Sequence, residues 1–412
     1  MKYHQTLYRL LIISSILILA WALPSSYYFA TKSKQSIPFQ YYSHALNDFL
    51  HVSSHEADQL IYKDTRDSLF TEKEVDALVP TFFYRQLVME DRFPDSLFHQ
   101  KVSPQIMARH NFFFSSHPRD ENNVAPPLYP LLESLPKRVN LQMPTDVMRF
   151  TKDGVEFIDM TSNRINHEKS ALFSKAFQSS TYTYPITVIS GNPTSRKAYD
   201  EGYFFVDQDH HLFHLKAIHG QPYLKEIPLP RGLIIKHLYI TEYEARNTYA
   251  FLTDQNNHFY VLSAPDYSLK ATALPPLDPS KDDLFIMGDL FDWNVRCTTA
   301  QGVSNYAIDA KTYALKKTIN TVYTSNTWEK LSPYIFPFQL QLTSRLNKVF
   351  KPQLVLFSWW ALLLNGAWLI LYIVLQKSNL LKKSRLETLL VSLTLLMGGL
   401  FAFIPLLIFR NT

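Results

Sequence analysis

The 412-residue sequence holds a single cysteine, Cys297. One thiol excludes an intramolecular disulfide and a multi-cysteine metal site, and it leaves the redox compartment unread. Cys297 does not follow an N-terminal apolar stretch, so it is no lipoprotein anchor; it reads as a small buried strand residue. Glycine is scarce, ten in all, and neither a glycine-rich phosphate loop nor a Walker motif occurs. A G-x-S-x-G nucleophile elbow is missing as well. Neither sign of charge dominates: 41 Lys and Arg stand against 36 Asp and Glu, a net charge of +5. That balance gives no reason to expect a nucleic-acid partner.

What is plentiful is apolar sequence at both ends. Residues 354–375 (LVLFSWWALLLNGAWLILYIVL) carry no charge and as a helix span roughly 33 Å, enough to cross a bilayer's hydrocarbon core. Residues 388–409 form a second such run. Trp359, Trp360, Trp368 and Tyr372 suit the membrane interfaces. Between the runs, residues 376–387 carry Lys377, Lys382, Lys383 and Arg385 against Glu387 alone. Two spans and a short basic turn make a helical hairpin whose loop faces the cytoplasm. Asn365 lies mid-span, as glue between helices or as part of a polar path. Gly398-Gly399 permits close approach, to the preceding span or to a partner.

At the N-terminus, Lys2 and Arg9 precede the apolar run Leu10 to Leu23. Residues 7–30 form either an uncleaved transmembrane anchor, the favoured reading, or a signal peptide with the small-x-small pattern Ala20-Trp21-Ala22. The expected layout is a multi-pass protein of the inner (cytoplasmic) membrane with three transmembrane helices and most of the chain in the periplasm. Lys32, Lys34, Arg345, Lys348 and Lys351 fall on the outer side and run against the charge bias.

Residues 36–137 read as a helical and irregular extracytoplasmic region. Thr71-Glu72-Lys73-Glu74 has the form of a capping box. Val75, Leu78, Val79, Phe82, Phe83 and Leu87 follow at helical spacing, interrupted by Pro80. His117 to Asn123, before Pro126-Pro127, reads as an exposed loop.

Residues 138–325 change to short alternating strands that repeat. Tyr203 to Gln208 matches Tyr249 to Gln255, and each is followed by a second strand, Leu212 to Leu215 and Phe259 to Leu262. Ala264-Pro265-Asp266-Tyr267-Ser268-Leu269-Lys270 matches Ala310-Lys311-Thr312-Tyr313-Ala314-Leu315-Lys316 at an offset of 46. Val147 to Ile158, turning at Asp153-Gly154, is a weaker copy. Further strands at Ile186, Ile234 and Leu284 precede the copies, and Tyr223 to Ile227 follows one. Four antiparallel strands per roughly 45 residues is the signature of a propeller blade. One such sheet cannot bury both faces, so neighbours must stack. The expected fold is a mainly β body of propeller-like four-stranded repeats, an open arc or one completed by residues before Arg138; an antiparallel sandwich is the alternative. Residues 326–352 form a linker.

Chemistry is hard to find in this pattern. His210 and His211 point to opposite faces of any strand, and His211 falls in a turn. His214 is expected on the solvent face. Asp207, Asp209 and Asp254 read as turn carboxylates, too dispersed for calcium. Asp282-Asp283 reads as a solvated linker and Ser190-Gly191-Asn192 as the start of a loop. No catalytic, cofactor-binding or metal-binding residue is assigned, and no cofactor is expected.

The layout resembles an uncharacterised family of Bacteroides-type membrane proteins, a domain of unknown function. The resemblance rests on Pro24-Ser25-Ser26-Tyr27-Tyr28, on Val79-Pro80-Thr81-Phe82-Phe83-Tyr84-Arg85-Gln86-Leu87 and on Pro94-Asp95-Ser96-Leu97, and covers nearly the whole chain. It implies a component encoded beside ABC transporter genes, an accessory of the permease and ATPase. The leading expectation is a non-enzymatic accessory or binding component of a transport or envelope complex, in contact with membrane lipid and membrane proteins. A membrane sensor and an envelope hydrolase are the alternatives.

Overall fold

The computed structural model describes residues 2–31, 37–54, 60–123, 125–342, 346, 348, 352–356, 359–380 and 384–409. The chain divides into a helical unit, Met1–Ser36 with Val322–Thr412, and a β body, Ile37–Thr321.

The body is a succession of small antiparallel sheets, each a meander of consecutive strands. Phe39–Ser43, Asp48–Ser54, Leu60–Lys63 and Leu69–Phe70 make the first. Asp146–Thr151, Gly154–Asp159 and Arg164–Ile165 make the second, which is joined by the helix His167–Gln178. The third runs Val188–Gly191, Tyr203–Val206, Leu212–Ile218 and Gln221–Ile227. The fourth runs Ile235–Ile240, Thr248–Asp254, Phe259–Ser263 and Leu269–Ala271. In the fifth, Asp283–Gly288, Asp292–Thr298, Gly302–Asp309 and Leu315–Val322 gain an edge strand, Phe112–Ser116, from much earlier in the chain.

Apolar cores join the sheets in series. Met148, Phe157 and Phe173 meet Phe205, Phe213 and Leu215; Phe204 and Val206 meet Leu238, Ala250 and Leu252; Phe251 and Val261 meet Leu284, Trp293 and Val295; Tyr42 and Phe49 meet Ala307. Sheets covered on both sides need apolar residues on both faces, which is why Tyr203–Val206 is buried throughout. This is the blade-on-blade packing that the repeat demands, and a single pair of sheets is not the arrangement. Cys297 is buried in its strand.

Two expectations for residues 36–137 change. The region holds the whole first sheet and an edge strand of the fifth, so residues before Arg138 do add to the repeat. Pro118–Glu121 is a short helix rather than an open loop. The capping box at Thr71 forms, and the pattern it opens breaks near Pro80 into Glu72–Leu78 and Tyr84–Met89.

The helical unit departs further from expectation. Among the described residues one helix, Thr6–Thr31, is long and apolar enough to cross a membrane, not three; a signal sequence meets the same test. The run from Leu354 opens as a strand, Gln353–Leu356, paired with Phe338–Gln341, and its helix is Ala361–Leu380. The apolar part of that helix, Ala361–Lys377, falls short of the same length. The run 388–409 starts earlier, at Arg385, behind a capping box of Ser384 and Glu387. It then breaks into Arg385–Gly398 and Leu400–Ile408 because Gly399 takes φ +51° and ψ −129°, a region that side chains other than glycine's disfavour. Lys382 and Lys383 of the basic loop, with Lys32, Lys34, Arg345, Lys351 and Arg410, lie outside the described residues.

Candidate functional site

A surface groove of about 520 Å³ opens beside the hairpin turn of the third sheet, within the size range of small-ligand sites. Glu133 builds its floor. One carboxylate oxygen accepts the His219 N–H at 2.7 Å and the other accepts the Gly220 N–H at 2.8 Å. Ser134 donates its N–H to the Ala217 carbonyl at 2.8 Å. The acid is thereby spent on backbone donors, while Lys137 and Arg138 line the same groove with Asn140, Gln142 and His219. Among the described residues neither cation forms an ion pair. The groove therefore offers two exposed cations, two amides and the His219 imidazole, a set suited to holding an anionic or polar group.

The titratable residues singled out in the sequence fall mostly into structural roles. Asp207 caps its own turn, accepting the N–H groups of Asp209 at 3.0 Å and His211 at 2.8 Å. Asp254 repeats this with Asn256 at 2.9 Å and His258 at 2.8 Å. Each carboxylate also meets the imidazole four residues on, His211 at 3.1 Å and His258 at 3.2 Å. These bonds hold the Asp254 carboxyl below its usual range, although burial alone would raise it. Ser190 accepts the Ile240 N–H at 2.8 Å. Asn192 donates to Glu242 at 2.8 Å, and Asp283 meets His117 at 3.0 Å. His210 and His219 take left-handed turn conformations.

His214 is a correction. It is wholly buried rather than on the solvent face, because its register places it against Phe204 inside a sheet that has no solvent face. The ring stacks on Phe204 at 3.9 Å. Nε2 lies 2.7 Å from the Glu201 carbonyl and Nδ1 lies 2.9 Å from the Tyr267 hydroxyl. Burial, with help from the Lys216 charge, pushes its pKa down to about 3.

Sequence reasoning missed a buried ion cluster between the third and fourth sheets. Lys197 Nζ lies 2.6 Å from Asp200 and 2.6 Å from Glu242, and all three side chains are more than nine-tenths buried. Glu242 also accepts the Glu201 N–H at 2.8 Å, yet burial still raises its pKa. Also missed is the pair of Glu121 with His237 Nδ1 at 2.8 Å. No local pattern marks either group: Glu242 joins Lys197 and Asp200 from a distant loop, and Glu121 and His237 lie far apart in the chain. Among the described residues, no group of three or more His, Cys, Asp or Glu could hold a metal ion.

No curated protein matches the chain in sequence. Several solved structures resemble it weakly. Hydrazine synthase of Kuenenia stuttgartiensis is 12% identical, at a TM-score of 0.24, over 50% of this chain and 53% of that one. A structure titled Dos1 propeller is 12% identical, at 0.26, over 70% and 62%. Dihydro-heme d1 dehydrogenase NirN, in complex with DHE, is 10% identical, at 0.24, over 77% and 63%. The chain thus spans less than two-thirds of each, and likeness at this level carries no inference about ligand or activity. A family model described as Domain of unknown function (DUF4857) matches residues 39–308, more than half of the chain, and the protein belongs to that family.

Proposed function

We propose that this protein is a membrane-held, non-enzymatic binding component of an ABC-type transport or envelope complex, with its β body on the extracytoplasmic side. The observation that carries the reading is the inverted polarity of the helical unit. Leu7, Ile13, Ile18, Leu363, Ile370, Val374, Leu389 and Leu393 are exposed, while Asn365 is fully buried. A helix cluster that turns its apolar side chains out and its amide in is suited to lipid rather than water. On this reading the C-terminal helices join the first in the inner membrane as a multi-pass anchor, and their packing compensates for short individual length.

The β body is inserted between the two segments of this anchor, so both of its ends are tethered. Among the described residues, Lys137 and Arg138 of its groove form no ion pair, which leaves both able to hold an anionic group. The ABC-type partner follows from the family resemblance; with no Walker motif in this chain, ATP hydrolysis belongs to that partner.

The test is affinity capture of the full-length chain from detergent-solubilised native membranes after mild crosslinking. Co-recovery of a permease and an ATPase is the expected result, reduced when the segment from Ser384 onward is deleted. Recovery of the chain alone from crosslinked membranes contradicts the proposal.

A further inference from the structure

A second, smaller cavity lies inside the β body, where the first sheet meets the fifth. It encloses about 20 Å³, room for one water-sized occupant. Its polar wall includes Asp289, Asp292, Asn111 and Asn294. Asp289 is in the turn of the hairpin Asp283–Gly288 and Asp292–Thr298. One of its oxygens accepts the N–H groups of Phe291 at 2.7 Å and Asp292 at 2.8 Å, and the other accepts the Thr81 hydroxyl at 2.6 Å. Among the described residues no basic group forms an ion pair with it. The nearby Lys316 is committed to Asp292, which also meets His44 at 2.6 Å.

The two amides are fixed in one orientation. Asn111 Nδ2 donates to the Thr81 carbonyl at 2.6 Å, and Asn294 Nδ2 donates to the Gln40 carbonyl at 2.6 Å. Flipping either amide would set oxygen against oxygen. Their Oδ1 atoms are therefore what remains, and both are buried without a donor. Asn294 is only 6% exposed. A cavity wall with two orphaned acceptors and a buried carboxylate lacking a countercharge calls for an occupant that only donates or is positive. A water could serve the two amide oxygens; a small cation would serve them and also compensate an ionised Asp289. The second carboxylate of the wall, Asp292, is already paired with Lys316, which leaves too few free carboxylates for a divalent ion.

We propose that this cavity binds one sodium-sized monovalent cation, which engages the amide oxygens of Asn111 and Asn294 and balances Asp289. Burial, with the Asp292 charge nearby, raises the Asp289 pKa in the empty cavity, and a bound cation would act in the opposite direction. The inference is independent of the membrane reading, because all its residues belong to the β body.

The experiment follows thermal unfolding of the full-length chain in detergent, in choline chloride exchanged stepwise for NaCl at constant ionic strength. Site-specific binding raises Tm by about 3–8 °C between 1 and 100 mM sodium. Asp289→Asn, which keeps the shape and removes the charge, abolishes the rise. Should that variant fail to fold, equilibrium dialysis of the wild type against radioactive sodium decides, with about one ion bound per chain expected. A Tm indifferent to sodium, or no stoichiometric sodium, overturns the proposal and leaves a structural water in the cavity.

Discussion

Asn365 occupies the space that a side chain at Gly399 would need. A Cβ added to Gly399 would lie 2.0 Å from Asn365 Oδ1, while Asn365 Nδ2 donates to the Leu396 carbonyl at 2.8 Å. The amide thus braces the helix at the break, where the chain turns out of regular hydrogen bonding. This is the helix-to-helix role that a lone amide in an apolar run suggests.

The pair should behave as a unit. Gly399→Ala forces an L-residue into a glycine conformation and pushes on a buried amide, at a cost of about 2–4 kcal/mol. Asn365→Ala alone costs about 1 kcal/mol. Combined with Asn365→Ala, the glycine substitution should cost less than it does alone, since the obstructing oxygen is gone. Thermal unfolding of the full-length chain in detergent measures all three. Strictly additive costs would show that the two residues do not meet.

Lys197 compensates two buried carboxylates. Lys197→Met should destabilise the fold by about 3–5 kcal/mol, because it strands Asp200 and Glu242. Adding Glu242→Gln should recover part of that loss. Denaturant unfolding tests it, and a cost below about 1 kcal/mol for Lys197→Met would mean that water reaches the cluster.

Acid should act on His214. Its folded pKa of about 3 lies below the ordinary 6.5 because burial disfavours the cation. The unfolded chain therefore binds the proton first. The stability contribution is complete above pH 6.5 and is lost as pH falls toward 3, amounting to about 3 kcal/mol by pH 4. His214→Gln should remove one proton's worth of slope from the stability profile between pH 4 and 6, whatever its effect at neutral pH. Identical slopes for the two proteins would place His214 in contact with solvent.

Much of the body was legible because blades repeat their turns. The equivalence of Ala264–Lys270 with Ala310–Lys316 holds in detail: Tyr267 and Tyr313 adopt φ +60° and +56° and are both buried. Asp207 and Asp254 make the same turn bonds, so the spacing of aspartate and histidine was a structural signature. The edge strand Phe112–Ser116 could not be read locally, since it pairs with Asp283–Gly288 across a long stretch of chain. His214 was misplaced because alternation assigns every strand a wet face, and stacked sheets have none. At the C-terminus, hydropathy measures oiliness and not continuity. It cannot tell one long helix from a strand and a helix, or detect that Gly399 divides another. The candidate groove gave no signal, because Glu133 reaches the turn at His219 and Gly220 only through folding.

The proposed function requires the helical unit to lie in lipid with the β body held outside. Intact cells and right-side-out spheroplasts carrying the full-length chain, treated with proteinase K, test it directly. With the helical unit in lipid, spheroplast treatment should digest the body and leave protected C-terminal fragments in the membrane pellet, whereas intact cells that carry an outer membrane should be spared. A full-length chain that survives in spheroplasts, or that washes off membranes in alkaline carbonate, contradicts it.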